Sequence, residues 1–239
     1  MAEPAPPIER SLVGIELALV AGGLLVGLVS GLLVSGTHIP AWERSVFRAV
    51  NDLPDFLYRP VWVVMQLGNS LAIAGAAAVA IAFRRFRLAM GLAVAGVSVY
   101  LLAELGKAIA DRQRPAELLA HVHLRGAPAT GNGYPSGHAA VAFALAVIAW
   151  LWFGPRIRWA FFVAAVFVCF GRVYVGAHLP LDVVGGAALG VASGAIVGLV
   201  MRMRHHGHAY RRAIAREREG RKNRPRKTAG GAASGFVAS

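Results

Sequence analysis

The segment Gly133–His138 (Gly-Tyr-Pro-Ser-Gly-His) holds side chains that could do chemistry at a single point. Pro135 and Gly137 do not prolong a helix from the left and Ser136 is a good N-cap, so a helix is predicted to begin here. A helix start presents unpaired N–H groups and the positive end of its dipole, which suits an anion such as phosphate. His138 would stand beside that anion as a proton donor or acceptor. A plain turn followed by an interfacial histidine explains the same residues, so the segment needs support from elsewhere.

Two further groups of polar residues provide that support. His178 and Asp182 are four residues apart, so at a helix start they would share one side and the carboxylate could hold a ring nitrogen. This is the arrangement of a nucleophile and the group that orients it. Lys107 and Arg114 are two helical turns apart and would share a face, before Pro115 ends the helix. Ordinary ion pairs with acidic residues at helical spacing would account for these cations equally well.

The elements that must position these residues are membrane helices. The chain has 239 residues, of which 56% are hydrophobic and only 15% charged, and its mean hydropathy is +0.55. A soluble domain carries about a quarter charged residues, so this composition indicates an integral membrane protein. A spanning helix needs about 20 mostly apolar residues. We predict an all-α bundle of six spans, at residues 11–35, 61–83, 88–110, 139–153, 157–175 and 181–201.

Three segments lie outside the predicted spans. Residues 1–10 are expected to form a disordered cytoplasmic lead before the six-span domain of residues 11–201, and residues 202–239 a basic, partly disordered cytoplasmic tail. Residues 37–59 are amphipathic and predict an interfacial helix between spans one and two, either a brace or a lid. The net charge of +13 resides mostly in the tail, which indicates a topology signal and contact with anionic lipid headgroups in place of nucleic acid.

The spans place the polar groups on one side of the membrane. No span lies between Arg114 and His138, and two lie between His138 and Arg172. The side of the termini carries 17 of the Lys and Arg residues and the other side carries 8. By the positive-inside rule the termini are cytoplasmic, and the polar residues face the periplasm or the cell exterior.

Three sequence blocks in order resemble one family. They are Lys107, six residues, Arg114-Pro115; then Pro135-Ser136-Gly137-His138; then Arg172, five residues, His178, three residues, Asp182. Together they resemble the type 2 phosphatidic acid phosphatase family, which shares its site with vanadium haloperoxidases and glucose-6-phosphatase. The blocks span residues 107–182. One departure is Gly171, where the third block usually has serine, and we expect weaker support of the site from this change.

The resemblance implies a role for each matching residue. His178 attacks phosphorus and becomes a phosphohistidine, Asp182 holds its imidazole, and His138 protonates the leaving oxygen and then deprotonates water. The phosphoryl oxygens are held by Lys107, Arg114, Ser136, the Gly137 amide and Arg172. Fixed cations and N–H donors stabilise a phosphoryl transition state without a metal, so neither metal nor cofactor is expected.

The function implied is a lipid phosphate or pyrophosphate phosphatase in a bacterial inner membrane. Undecaprenyl pyrophosphate and phosphatidylglycerol phosphate are the expected substrates, with lipid A phosphates or another polyprenyl phosphate as alternatives. A phosphotransferase on the same scaffold, and a non-catalytic protein with a relic site, are the competing readings. The oligomeric state is left open.

Overall fold

The structure, a computed structural model, describes residues 7–34 and 38–222. Within these ranges the chain is helical and contains no strand, which confirms the all-α prediction. The described residues up to Met201 form one compact unit; in the unit from Arg202 onward, the described residues are helical to Lys222. The predicted domain limits remain predictions; residues 1–6, 35–37 and 223–239 lie outside the description. The helices are α1 (Pro7–Val34), α2 (Ala41–Asn51), α3 (Tyr58–Met65), α4 (Ser70–Ala82), α5 (Phe86–Ala110), α6 (Pro115–Leu118), α7 (Gly137–Trp152), α8 (Pro155–Tyr174) and α9 (Pro180–Lys222).

Among the described residues, four helical stretches are long and apolar enough to cross a membrane. They are Val13–Val34, Phe86–Ala110, Pro155–Tyr174 and Pro180–Arg202. A fifth candidate is a bent pair, Asp55–Gly68 with Ser70–Ala82, whose two parts meet at 68°. The predicted fourth span corresponds to α7, an apolar helix of only 16 residues. The structure therefore supports four or five spans, and the count of six remains a prediction.

The predicted second span, residues 61–83, is a broken helix. Gly68 approaches α7 so closely that a Cβ built on it would lie 2.6 Å from the carbonyl oxygen of His138. Asn69 then starts α4 afresh, because its Oδ1 accepts a hydrogen bond of 2.8 Å from the N–H of Ala72. Asn69 thus caps its own helix, and the break lets the chain fit against the start of α7.

The centre of the bundle is α7, ten of whose sixteen residues are buried. Alanines dominate this helix, and glycines line the facing surface of α9. A Cβ at Gly186 or Gly190 would collide with the carbonyl oxygens of Ser136 and Ala140, and one at Gly194 would lie 2.9 Å from Cβ of Val147. Small residues at this four-residue spacing let two membrane helices approach to backbone contact. The close contact fixes the start of α9 against the start of α7, where the site lies.

The amphipathic segment forms α2 and lies against the loops of the site. Glu43, Phe47 and Asn51 are buried and share one face at four-residue spacing. Phe47 packs into a cluster with Leu179, and Asn51 Nδ2 donates to the carbonyl oxygen of Tyr174 at 2.9 Å. The location of α2 at a membrane surface remains a prediction; its contacts are those of a brace.

Candidate active site

The structure brings the predicted site residues to one end of the bundle. Lys107 lies in the last turn of α5 and Arg114 immediately precedes α6. Arg172 lies in the last turn of α8. Ser136 is the N-cap of α7, ahead of Gly137 and His138, while His178 and Asp182 flank the start of α9. These positions lie at five helix ends. One expectation was wrong: α5 ends at Ala110, because Asp111 adopts a left-handed conformation with φ of 46°, so Arg114 lies outside the helix of Lys107 and the two do not share a helical face.

Direct contacts and electrostatic interactions join the blocks. The Ser136 N–H donates to the carbonyl oxygen of Asp182 at 2.9 Å, which ties the start of α7 to the start of α9. A Cβ at Gly137 would lie 3.9 Å from Lys107 Nζ. His138 interacts electrostatically with Lys107, Arg114, Arg172 and His178. The two imidazoles and three cations therefore converge on one site.

His178 is a buried, neutral imidazole. Burial lowers its pKa to about 4, and the positive charges of Arg172 and Arg114 act in the same direction, while Asp182 opposes them. Its Nδ1 lies 3.8 Å from Oδ2 of Asp182, too far for a hydrogen bond. The same Oδ2 accepts the N–H of Leu179 at 2.8 Å. The carboxylate therefore stands in place to orient this ring once the two approach.

Several buried polar atoms at the site have no hydrogen-bond partner within the protein. Among the described residues five such side-chain atoms occur, and four belong to the predicted set: Arg114 Nε, Ser136 Oγ, Arg172 Nε and His178 Nδ1. Buried polar groups are bonded in the great majority of cases, so four orphans in one place call for an explanation. Their grouping with three cations fits an anion-binding site.

Arg114 and Lys107 are held differently. Arg114 is fixed by a 3.0 Å hydrogen bond from Nη1 to the carbonyl oxygen of Ala177; burial lowers its pKa, which the charge of Asp182 opposes. Lys107 forms a 2.7 Å ion pair with Glu104, whose side chain is 46% exposed. The expected helical ion pair is thus present. A surface pair contributes only about 0 to 1 kcal/mol, so a phosphate dianion can compete for this lysine.

The loop between α6 and α7 supports the site. Arg125 donates to the carbonyl oxygens of Asn51, Leu53 and Tyr174 at 2.8 Å each and pairs with Asp55 at 2.7 Å. The loop thus fastens the C-terminal end of α8 to α2 and the residues after it.

No group of three His, Cys, Asp or Glu side chains suited to a metal occurs in the described part of the chain.

A buried ion-pair network next to Asp182 was missed by sequence reasoning. Arg112 pairs with Asp182 at 2.7 Å and with Glu43 at 2.7 Å. The sequence did contain a signal for the burial of Glu43, because this acidic residue lies on the same face of the amphipathic α2 as Phe47 and Asn51. The pairing itself joins positions 69 and 70 residues apart, which no local pattern could reveal.

The Gly171 departure has a steric origin. A Cβ at Gly171 would lie 2.5 Å from Cγ of Met65 and 3.0 Å from Cγ1 of Val61. Both residues belong to α3, which packs tightly on the C-terminal part of α8. The serine that is usual in the third block has no space here unless Met65 moves.

Comparison with known proteins identifies the family. The family model described as the PAP2 superfamily matches residues 86–206, and the chain belongs to this superfamily of phosphatases. An undecaprenyl-diphosphatase of Sulfolobus acidocaldarius is 33% identical over 161 residues, which cover 66% of this chain and 78% of that protein. A lipid A 1-phosphatase of Rhizobium johnstonii is 38% identical over 94 residues, 38% of each chain. The crystal structure of Aquifex aeolicus LpxE superposes with a TM-score of 0.61 at 27% identity, covering 66% of this chain and 95% of that one.

Proposed function

We propose that this membrane phosphatase hydrolyses lipid phosphates or pyrophosphates through a phosphohistidine on His178. The observation that carries the proposal is the cluster of buried unpaired polar atoms on Arg114, Ser136, Arg172 and His178. A phosphoryl group could supply acceptors for the first three. No apolar ligand would use these groups, and their burial favours an anion over bulk water.

The first chemical step forms a bond from His178 Nε2 to phosphorus and breaks the bond from phosphorus to the leaving oxygen. The Nδ1–H of His178 points toward Asp182, and the negative charge of Asp182 stabilises the imidazolium that forms when the ring is phosphorylated. The cations and the first N–H groups of α7 stabilise charge spread over the phosphoryl oxygens. The incoming phosphate brings the negative charge that allows His138 to carry a proton among three cations, and His138 gives this proton to the leaving oxygen.

The second step hydrolyses the phosphohistidine. His138 takes a proton from water, the water oxygen bonds to phosphorus, and the bond from phosphorus to Nε2 breaks. The products are inorganic phosphate and a lipid with one phosphate fewer. Positioning and charge stabilisation account for each step, so we expect activity to persist in EDTA.

We propose undecaprenyl pyrophosphate, a polyprenyl pyrophosphate, as the first candidate substrate and phosphatidylglycerol phosphate as the second. The similarity to an undecaprenyl-diphosphatase over 66% of this chain supports this order. The similarity to a lipid A 1-phosphatase keeps lipid A as a further candidate. We propose the bacterial inner membrane as the location, with cytoplasmic termini and an outward-facing site, on the Lys and Arg asymmetry.

The test is phosphate release by the full-length protein in detergent from a panel of lipid phosphates and pyrophosphates, with and without EDTA. His178→Ala is the inactive variant, and His121→Ala, the same change at an exposed histidine, is the matched control. Rapid quenching should trap an acid-labile phosphoprotein in the wild type and none in His178→Ala. Undiminished release by His178→Ala, or strict dependence on a divalent ion, would refute the proposal.

A further inference from the structure

A closed ring of buried charges surrounds the carboxylate that faces His178. Arg112 donates from Nη1 to Oδ1 of Asp182 at 2.7 Å, and from Nη2 to Oε2 of Glu43 at 2.7 Å. Oε1 of Glu43 accepts the backbone N–H of Leu181 at 2.9 Å, the residue before Asp182. Glu43 and Asp182 are 0% exposed and Arg112 is 5% exposed. The ring therefore closes on itself away from solvent.

The ring fixes the orientation of Asp182. Its Oδ1 is held by Arg112 and its Oδ2 by the N–H of Leu179. With both oxygens held, the carboxylate plane cannot turn, and Oδ2 stays directed toward Nδ1 of His178 at 3.8 Å. Arg112 itself is held on its other side by Glu43. The orientation of Asp182 therefore depends on a residue from α2.

The ring also sets the charge that His178 meets. A pair of Asp182 and Arg112 alone would be neutral and would do little to stabilise a phosphorylated imidazolium. Burial alone would lower the pKa of Arg112. The hydrogen bond with Glu43 and the charge of Asp182 together raise this pKa by more than burial lowers it, so the guanidinium stays charged. Glu43 adds a second negative charge, which leaves the ring with one net negative charge. Low dielectric keeps that charge effective at short range.

We propose that Glu43 is a positioning residue for catalysis, acting through Arg112 to keep Asp182 both oriented and effectively anionic toward His178. The proposal rests on the proposed function, since it assumes that Asp182 assists His178. It also gives α2 a task beyond bracing: the helix delivers the charge that offsets Arg112. One and two turns further along, Phe47 packs with Leu179 in the loop between α8 and α9, and Asn51 bonds to Tyr174 at the end of α8, so both anchor the same helix.

The alternative is that the ring only stabilises the fold. Breaking a buried ion pair is destabilising in either case, so a loss of activity or stability alone does not decide. The deciding observation is whether the effect of Glu43 passes through Asp182. A double-mutant cycle measures this, because two changes that act through one step do not multiply.

The experiment compares Glu43→Gln with wild type, in full-length protein, using the panel substrate that is hydrolysed fastest. We expect kcat to fall about 10- to 100-fold, as for loss of a hydrogen bond to a charged group, while KM changes little. Glu43→Asp keeps the charge and should recover part of kcat. In the Asp182→Asn background, Glu43→Gln should cost less than about threefold more. Asp52→Asn, at the exposed C-terminal end of α2, should match wild type.

The outcomes separate the two proposals. Wild-type kcat in Glu43→Gln, or an equal loss with and without the Asp182→Asn change, would overturn the role of Glu43 while the phosphohistidine mechanism stands. Full activity in His178→Ala would refute the proposed function itself. If Glu43→Gln does not accumulate in membranes, Glu43→Asp is measured in both backgrounds, and a loss of kcat that persists beside Asp182→Asn overturns the role equally.

Discussion

Restoring the serine that is usual in the third block should harm this protein. In Gly171→Ser the new Cβ would lie 2.5 Å from Cγ of Met65, where ordinary contact begins near 3.4 Å. Overpacking of this kind costs about 1 to 3 kcal/mol. For about 200 residues this corresponds to an apparent unfolding midpoint lower by about 2 to 12 °C. The added hydroxyl should bring no gain in kcat, because α3 must shift to admit it.

The assay is thermal unfolding in detergent together with initial rates of phosphate release. Gly75→Ser is the matched control, since no atom lies within 4 Å of a Cβ at Gly75, and it should unfold like wild type. Met65→Ala removes the obstructing atoms, so Gly171→Ser combined with Met65→Ala should lose less stability than the two losses added together. A Gly171→Ser protein that melts at the wild-type temperature and turns over faster would refute the steric explanation.

Three further predictions concern single residues. The fall of kcat/KM on the acidic side of its pH profile, which reports the free enzyme, should have its midpoint near pH 4 and not near 6.5. The reason is that burial lowers the pKa of His178 to about 4 and only the neutral ring attacks. Rates across pH 3 to 8 on a pyrophosphate substrate test this, and a midpoint near 6.5 would contradict it. Ser136→Ala should lower kcat about 100-fold with unchanged unfolding, as for loss of one donor to a developing oxyanion, because Oγ has no protein partner to lose; a rate within twofold of wild type would exclude Ser136 from the site. Tyr134→Phe removes hydrogen bonds to the carbonyl oxygen of Gly27 at 2.9 Å and to Ser30 Oγ at 2.8 Å, so the free energy of unfolding should fall by about 1 to 3 kcal/mol while KM is retained, and calorimetry in detergent should detect the change.

Much of the candidate site could be predicted because each sequence block contains its own signals for a helix start or a helix end. The helix start at Ser136 follows from Pro135, Gly137 and the apolar run behind them. His178 and Asp182 lie close together at the start of α9 as predicted, although His178 precedes the helix, so their proximity comes from the turn into α9 and not from helical spacing. The meeting of the blocks on one side was predicted from the span count. Two helices, α7 and α8, do lie between the second and third blocks, while the count of spans remains a prediction. These inferences needed only sequence neighbours and the length of helices.

The remainder depended on contacts that sequence neighbours do not determine. Gly68, at the break, lies so close to the carbonyl oxygen of His138 that a side chain has no space there, and this contact joins positions 70 residues apart. A Gly-Asn-Ser sequence within an apolar run is equally compatible with an unbroken helix that carries polar side chains. The pairing of Glu43 with Arg112 has the same origin, since both residues look like ordinary surface charges until α2 is laid against the site. Long-range packing decided both features.

The shortness of α7 has a consequence for how a substrate arrives. Sixteen residues rise about 24 Å, while the hydrocarbon layer of a bilayer is about 30 Å thick. On the proposed topology, in which α7 ends at the cytoplasmic leaflet, a helix of this length stops short of the outer headgroups, and its first turn bears His138. The phosphate must then sink below the level of its neighbours, or the bilayer must thin to meet it. On that topology, an acyl or prenyl tail held in the hydrocarbon layer would bring a phosphate down to this depth, whereas a water-soluble phosphoester has no such tail.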